Sequence, residues 1–423
     1  MLDAKLIRSE TERVKEGVRA KGHDDADVDR WLDLDQKRRE LVNRVERQKA
    51  ERNAASKEIG TKLKSGDDAS AEQERVRTLG EEIKALDQEL RAADTELEEV
   101  SLGVPNMPDE DVPRGGVDQN RLERAWGDPV EHDFDARTHD DLGVALGLFD
   151  FESATRMSGP GFVVFKGTGA YLERALIQFM LDLHTREHGY TEVSVPFLVK
   201  PSAARGTGQL PKLADDMYRT DVDGFYLIPT AEVSVTNIHA ERVLDEGDLP
   251  ILHVAYSPCF RREAGSYGKE TKGLTRVHQF DKVEMVKFAH PDRSEDELLF
   301  LLANAEAVLQ KLGLAYRVVL LASGDLSFAA ARCYDLEVWA PGSKRWLEVS
   351  SCSNFTDFQA RRANIRYKGT GGGKAQFVHT LNGSGLALPR TMIALIETYQ
   401  TARGTVVIPE PLRPFLGGLA EVQ

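Results

Sequence analysis

The sequence predicts an α+β protein: an antiparallel sheet flanked by helices, preceded by a long antiparallel coiled-coil hairpin. Two observations carry this expectation. Between Val76 and Val100 the apolar residues Val76, Leu79, Ile83, Leu86, Leu90, Ala93, Leu97 and Val100 step by three and four without a break, which is a coiled-coil seam. Beyond residue 116, short strand-like runs alternate irregularly with helical ones. No βαβ rhythm links them, so the pattern favours an antiparallel sheet over a doubly wound one.

The first long helix is expected over about 27–64, on a rougher stripe of Trp31, Leu34, Leu41, Val45, Ala55 and Ile59. Gly66-Asp67-Asp68 forms a turn, so the helix over about 76–100 folds back on it. Residues 30–64 hold eleven Lys or Arg against six acids, while 65–100 hold four against twelve. Opposite charges can simply pair the helices, and the excess on the first can equally face phosphates. Composition leaves both readings open. The passage 101–116, SLGVPNMPDEDVPRGG, breaks helix and strand alike and reads as a linker. An N-terminal domain over 1–110 and a second over 111–423 follow. In the second, strands are expected at 225–229, 252–261, 276–288, 315–321, 333–340 and 345–351. Helices are expected at 168–188, 294–312 and 390–402. The run 276–288 alternates clearly, and Ser294 with Glu297 reads as a capping box opening a helix that stops at Gly313.

Composition narrows the function classes. The hydrophobic fraction is 41% and the charged fraction 29%, as in a soluble globular protein with surplus charge. No apolar run suits a signal peptide or a membrane span. Cys259, Cys333 and Cys352 have no paired spacing and read as reduced, cytosolic thiols rather than a disulfide or zinc framework. The net charge of −14 argues against a generic nucleic-acid binder, so no DNA partner is expected, although a local basic stripe remains compatible with it. No Walker A loop and no G-x-G-x-x-G after a strand is present.

The most informative stretch is Phe260 to Glu284, FRREAGSYGKETKGLTRVHQFDKVE. An arginine at a strand end can fork onto an α-phosphate, a nearby carboxylate can accept from an adenine amine, and an aromatic can stack on the purine. A charged surface hairpin would show the same residues. The order Phe260-Arg261-x-Glu263, loop, Arg276-x-His278-x-Phe280 resembles motif 2 of class II aminoacyl-tRNA synthetases, over about 256–288. The loop wording is similar to that of bacterial-type seryl-tRNA synthetases. Further segments extend the resemblance along the whole chain: 168–196 to motif 1, Thr230-Ala231-Glu232, the run Glu348-Val349-Ser350-Ser351, and 382–402, with Asn382, Ser384 and Arg390, to motif 3.

The resemblance implies an enzyme that activates L-serine with ATP and transfers it to serine tRNA, with selenocysteine tRNA as a further acceptor where present. Catalytic roles fall on Arg261, Glu348 and Arg390. ATP contacts fall on Arg261, Arg262, Glu263, Val277, Phe280, Glu348, Val349, Ser350, Ser351 and Arg390, with Arg390 expected opposite Phe280 across the base. Serine contacts fall on Thr230, Ala231, Glu232, Arg261, Glu284, Asn382 and Ser384. Glu348 and Ser351 become ligands of Mg²⁺, which prefers hard oxygens. Arg38, Arg39, Arg44 and Arg47 on the arm, with Lys269 and Lys272 in the loop, are the expected tRNA contacts. A cytoplasmic homodimer, with motif 1 at its interface, completes the expectation.

Overall fold

The computed structural model describes residues 1–264, 272–369 and 371–423. The chain divides into two compact units, one of Leu2–Arg19 and His23–Pro105, the other of Met1, Ala20–Gly22 and Asn106–Gln423.

The first unit is dominated by two antiparallel helices, Ala26–Ser65 and Ser70–Gly103. Gly66 ends the first in the left-handed conformation at φ 80, which a side chain would strain, and its N–H closes on the Lys62 carbonyl. The second helix starts about a turn earlier than its apolar seam, because Asp68 accepts from the backbone N–H of Ser70 at 2.9 Å. Leu41, Val45, Leu86 and Ala93 form the buried seam. Ion pairs flank it: Arg30–Glu96 at 2.9 Å, Arg38–Asp94 at 2.5 Å, Lys49–Asp87 at 3.2 Å and Lys62–Glu72 at 2.7 Å.

The second unit is built on an eight-stranded sheet. Its spatial order is Arg121–Trp126, Tyr316–Leu320, Arg332–Ala340, Arg345–Asn354, His379–Ala387, Gln279–Ala289, Ile251–Phe260 and Thr191–Glu192. Neighbours run antiparallel except for the last pair, which is parallel. Helices Thr168–Arg186, Ser294–Leu312 and Leu388–Tyr399 contribute Leu176, Leu301 and Ile393 to one buried cluster that also holds Val283 and Met285. Val286 and Phe288 belong to a second cluster with Ala360, Ile365 and Val378. The alternation read at 276–288 therefore divides two buried faces, and the strand begins only at Gln279.

The expected capping box is not formed. Ser294 lies inside its helix, Arg293 is the cap residue, and Glu297 pairs with Lys287 at 2.8 Å instead. A buried lysine on the neighbouring strand outcompetes a local backbone contact, because an unpaired ammonium in the core costs more than an uncapped amide. The helix does end at Gly313, at φ 66.

Candidate active site

Two β-bulges sit at the cavity wall. On the strand Arg345–Asn354, Leu336 pairs with Ser350 but Glu337 with Glu348, so Val349 is an extra residue. Residues three apart on a regular strand face opposite sides. The bulge turns Glu348 and Ser351 to the same side, and the Ser351 hydroxyl donates to Glu348 Oε1 at 3.2 Å. On His379–Ala387, Ser384 pairs with Glu284 and Leu386 with Val283, which makes Gly385 the extra residue.

These strands border a cavity of about 560 Å³. Thr230, Glu232, Asn382 and Ser384 line it, as do Arg261, Glu263, Val277 and Phe280. Glu348, Val349, Ser350, Ser351 and Arg390 complete the wall. Three expected contacts stand behind or beside it. Ala231 is buried in the second cluster, Glu284 is buried beneath Asn382, and Arg262 is turned outward, its N–H and guanidinium on the carbonyls of Asp216 and Asp215.

One end of the cavity is a closed polar network. Asn382 Nδ2 donates to Glu284 Oε1 at 2.8 Å and to Glu232 Oε2 at 3.3 Å. Gln359 Nε2 donates to Glu232 Oε1 at 2.6 Å. Lys282 forms an ion pair with Glu284 and donates to Thr230 Oγ1 at 2.8 Å. Thr230 Oγ1 also accepts from the Glu232 N–H at 3.3 Å. Burial, and then the charge of Glu284, push the Glu232 carboxyl up to about 7, against the pull of Gln359, Lys282 and Arg261. A cation entering this end would find a carboxylate poised to ionise. Sequence reasoning missed Lys282 and Gln359. Lys282 was findable, because it lies two residues before Glu284 and shares its face of the strand. Gln359 carries no local signal.

The middle of the cavity is charged. Arg390 Nη1 donates to the Glu348 carbonyl at 2.7 Å and lies 3.3 Å from Glu348 Oε2. The Glu348 side chain is 47% exposed, opening onto the cavity. Burial alone would raise its carboxyl, but Arg390, Arg261 and the Ser351 hydrogen bond outweigh this and hold it below its ordinary value. Asp335, opposite Ser351 in the sheet, is pushed well up by burial and by the Glu348 charge. Among the described residues no cluster of three or more His, Cys, Asp or Glu could cage a metal. Glu348 and Ser351 instead offer two hard oxygens on an open side, the donor set that suits Mg²⁺ alongside phosphate oxygens and water.

The Arg261 guanidinium donates to the Pro229 carbonyl, next to Thr230, at 3.3 Å and lies 5.1 Å from the centre of the Phe280 ring. Arg390, expected opposite Phe280 across the base, rests here on Glu348. Glu263, at φ 51, accepts from Arg276 Nη1 at 2.9 Å. The three cysteines are buried and free, and burial first of all pushes the Cys352 thiol up to about 12, which suits packing rather than nucleophilic attack.

The expected tRNA contacts fare differently. On the arm, Arg38 is paired with Asp94 and Arg39 with Asp35 at 3.0 Å, while Arg44 and Arg47 are exposed. Lys272 pairs with Asp140 at 2.8 Å and Asp141 at 3.5 Å. Lys269 lies outside the described residues. No helix among the described residues is long and apolar enough to cross a membrane.

Comparison with known proteins places this geometry. Residues 1–108 match the seryl-tRNA synthetase N-terminal domain, and residues 217–399 match the tRNA synthetase class II core domain (G, H, P, S and T). The serine–tRNA ligase of Nitratidesulfovibrio vulgaris is 51% identical over 423 residues, covering 100% of both chains. That of Thermomicrobium roseum is 54% identical over 419 residues, 99% of this chain and 94% of its own. The crystal structure of seryl-tRNA synthetase from Pyrococcus horikoshii complexed with ATP superposes with a TM-score of 0.94 at 36% identity, covering 100% of this chain and 99% of that one.

Proposed function

The chain belongs to the seryl-tRNA synthetase family, and from that premise we propose that it activates L-serine with ATP and transfers it to serine tRNA through a seryl-adenylate. One observation carries the reading. A single cavity joins a buried carboxylate-hydroxyl-amide network to a stretch of arginines and hard oxygens. The first suits a small hydroxylated amino acid, the second a nucleoside triphosphate.

Glu232 and Thr230 receive the serine ammonium, with Glu284, Asn382 and Ser384 shaping the pocket around its side chain. Alanine would leave these buried polar groups unpaired, and threonine would be excluded by volume. The serine carboxylate is ionised at neutral pH and needs no general base. Its oxygen attacks the α-phosphorus and pyrophosphate leaves. What the protein supplies is alignment and charge neutralisation. Arg261 holds the α-phosphate, Arg390 the γ end, and Phe280 with Glu263 the adenine. Glu348 and Ser351 would hold Mg²⁺, which when bound neutralises phosphate charge. In the second step a terminal ribose hydroxyl of the tRNA attacks the serine carbonyl and AMP leaves.

The basic face of the arm would meet tRNA by shape and phosphate rather than by base sequence. Selenocysteine tRNA charged with serine would use the same chemistry. The segment 168–196, motif 1 by resemblance, would form the interface of a homodimer. Exchange of pyrophosphate into ATP tests the reading. It should respond to serine and barely to threonine, alanine or glycine, and no response to serine would overturn it.

A further inference from the structure

Outside the cavity, the described residues contain a buried histidine-carboxylate pair that reaches the cavity wall through one backbone bond. Glu397, near the end of the helix Leu388–Tyr399, is fully buried. Its Oε1 accepts from the His139 N–H at 3.0 Å, from the His139 ring at Nδ1 at 3.0 Å and from the Ser343 hydroxyl at 2.7 Å. Its Oε2 accepts from the Ser343 N–H at 2.8 Å. On the other side of the ring, His139 Nε2 stands 3.1 Å from the Leu274 N–H. A backbone N–H can only donate, so Nε2 carries the lone pair and the ring hydrogen sits on Nδ1, pointing at Glu397.

The chain passes hard against this ring. Gly273 has φ 63, and a Cβ there would stand 2.2 Å from His139 Nε2. Leu274 is 1% exposed. Immediately after it, Thr275 Oγ1 accepts from Arg345 at 3.0 Å, and Arg276 holds Glu263. Leu274, Thr275, Arg276 and Val277 all line the cavity. A contact that fixes Leu274 therefore fixes the wall that continues through Arg276 to Glu263.

We propose that His139, held in one tautomer by Glu397, is a positioning residue for the nucleotide end of the site. It pins the return limb at Leu274 and so sets Thr275 through Val277 against bound ATP, without itself touching substrate. This rests on the assignment of that end to ATP. The pair thus acts on the limb rather than on the amino acid.

Two changes at the ring separate its two bonds. Asn in H139N places a donor where Nδ1 stood and keeps the Glu397 bond, but cannot reach Leu274. Gln in H139Q places an acceptor where Nε2 stood and restores the Leu274 bond. In serine-dependent pyrophosphate exchange H139N should raise the KM for ATP about tenfold, the scale of one lost hydrogen bond, with the KM for serine within about twofold. H139Q should recover most of that loss. The Kd for ATP measured calorimetrically without serine should move in parallel, so the positioning role is read even if serine activation itself fails. G273A pushes a methyl into the ring from the limb side and should give the same ATP-selective rise. Equal rises in both KM values, no recovery by H139Q, or an unchanged ATP KM in G273A would overturn the proposal. If H139N proves too unstable to assay, G273A decides alone.

Discussion

Glu232 shows how a single side chain can set a pH profile. Its carboxyl titrates at about 7 in the folded protein, against 4.5 ordinarily, because burial and the neighbouring Glu284 disfavour its charge. The sign follows from the raised value. The folded state prefers the protonated form, so this group's contribution to stability is full below the ordinary value and falls away as pH rises towards about 7. A serine ammonium reverses the preference by pairing with the ionised form. The KM for serine should therefore rise as pH falls below about 7, by up to tenfold per unit, while the KM for ATP changes little. Exchange assays between about pH 5.5 and 8.5 check this, and a flat serine profile would sink the role given to Glu232. Arg261 makes a second residue-scale case. A lysine there keeps the charge but loses the planar fork, so R261K should lower kcat by about 10²-fold or more in the same assay. Thr230, Glu232, Asn382 and Ser384 were legible because each lies in a short motif. Gln359 was not, since it meets Glu232 across 127 positions of chain.

At the scale of elements, periodicity located the long helices and five of the eight strands of the main sheet, but not His379–Ala387. What it could not supply was the environment on each side. The strand Gln279–Ala289 alternates as a half-wet strand would, yet carries Lys282, Glu284 and Lys287 into buried surroundings. The run Glu348–Ser351 shows the same limit from the other direction. Its spacing of three seats two oxygens together only because Val349 bulges, and a bulge is a property of the pairing with Arg332–Ala340 rather than of the strand itself. Lys287 offers a measurable consequence. Its ammonium is fully buried, bonded to Glu297 Oε2 at 2.8 Å, and 4.2 Å from the centre of the Phe300 ring. Lys287→Ala strands the Glu297 carboxylate against an apolar layer and should cost about 3–5 kcal/mol in urea unfolding. The double change Lys287→Met with Glu297→Gln removes both charges and should cost clearly less. If the single and double changes cost the same, the ion pair is not what stabilises this layer.

For the whole molecule the governing quantity is charge, and its average misleads. A net charge of −14 describes a chain that polyanions should avoid, while residues 30–64 carry eleven basic groups against six acids. Composition could not say which of those bases are already occupied. Arg30, Arg38, Lys49 and Lys62 hold acids on the returning helix, and Arg39 pairs with Asp35, so much of the apparent excess stabilises the hairpin. Arg44 and Arg47 remain exposed, Arg47 standing 4.0 Å from Glu51. Contacts to phosphate need only point charges and give affinity without sequence reading, with a salt dependence that counts them. Reversing both charges, R44E with R47E, should therefore raise the KM for serine tRNA by about tenfold or more and flatten the logarithmic salt slope by about one to two. Serine-dependent pyrophosphate exchange should stay within about twofold of the unaltered protein, because activation uses none of these residues. A change in both reactions together would mean that the reversal unfolded the arm or the site. A change in neither would move the tRNA surface away from this stretch of the first helix.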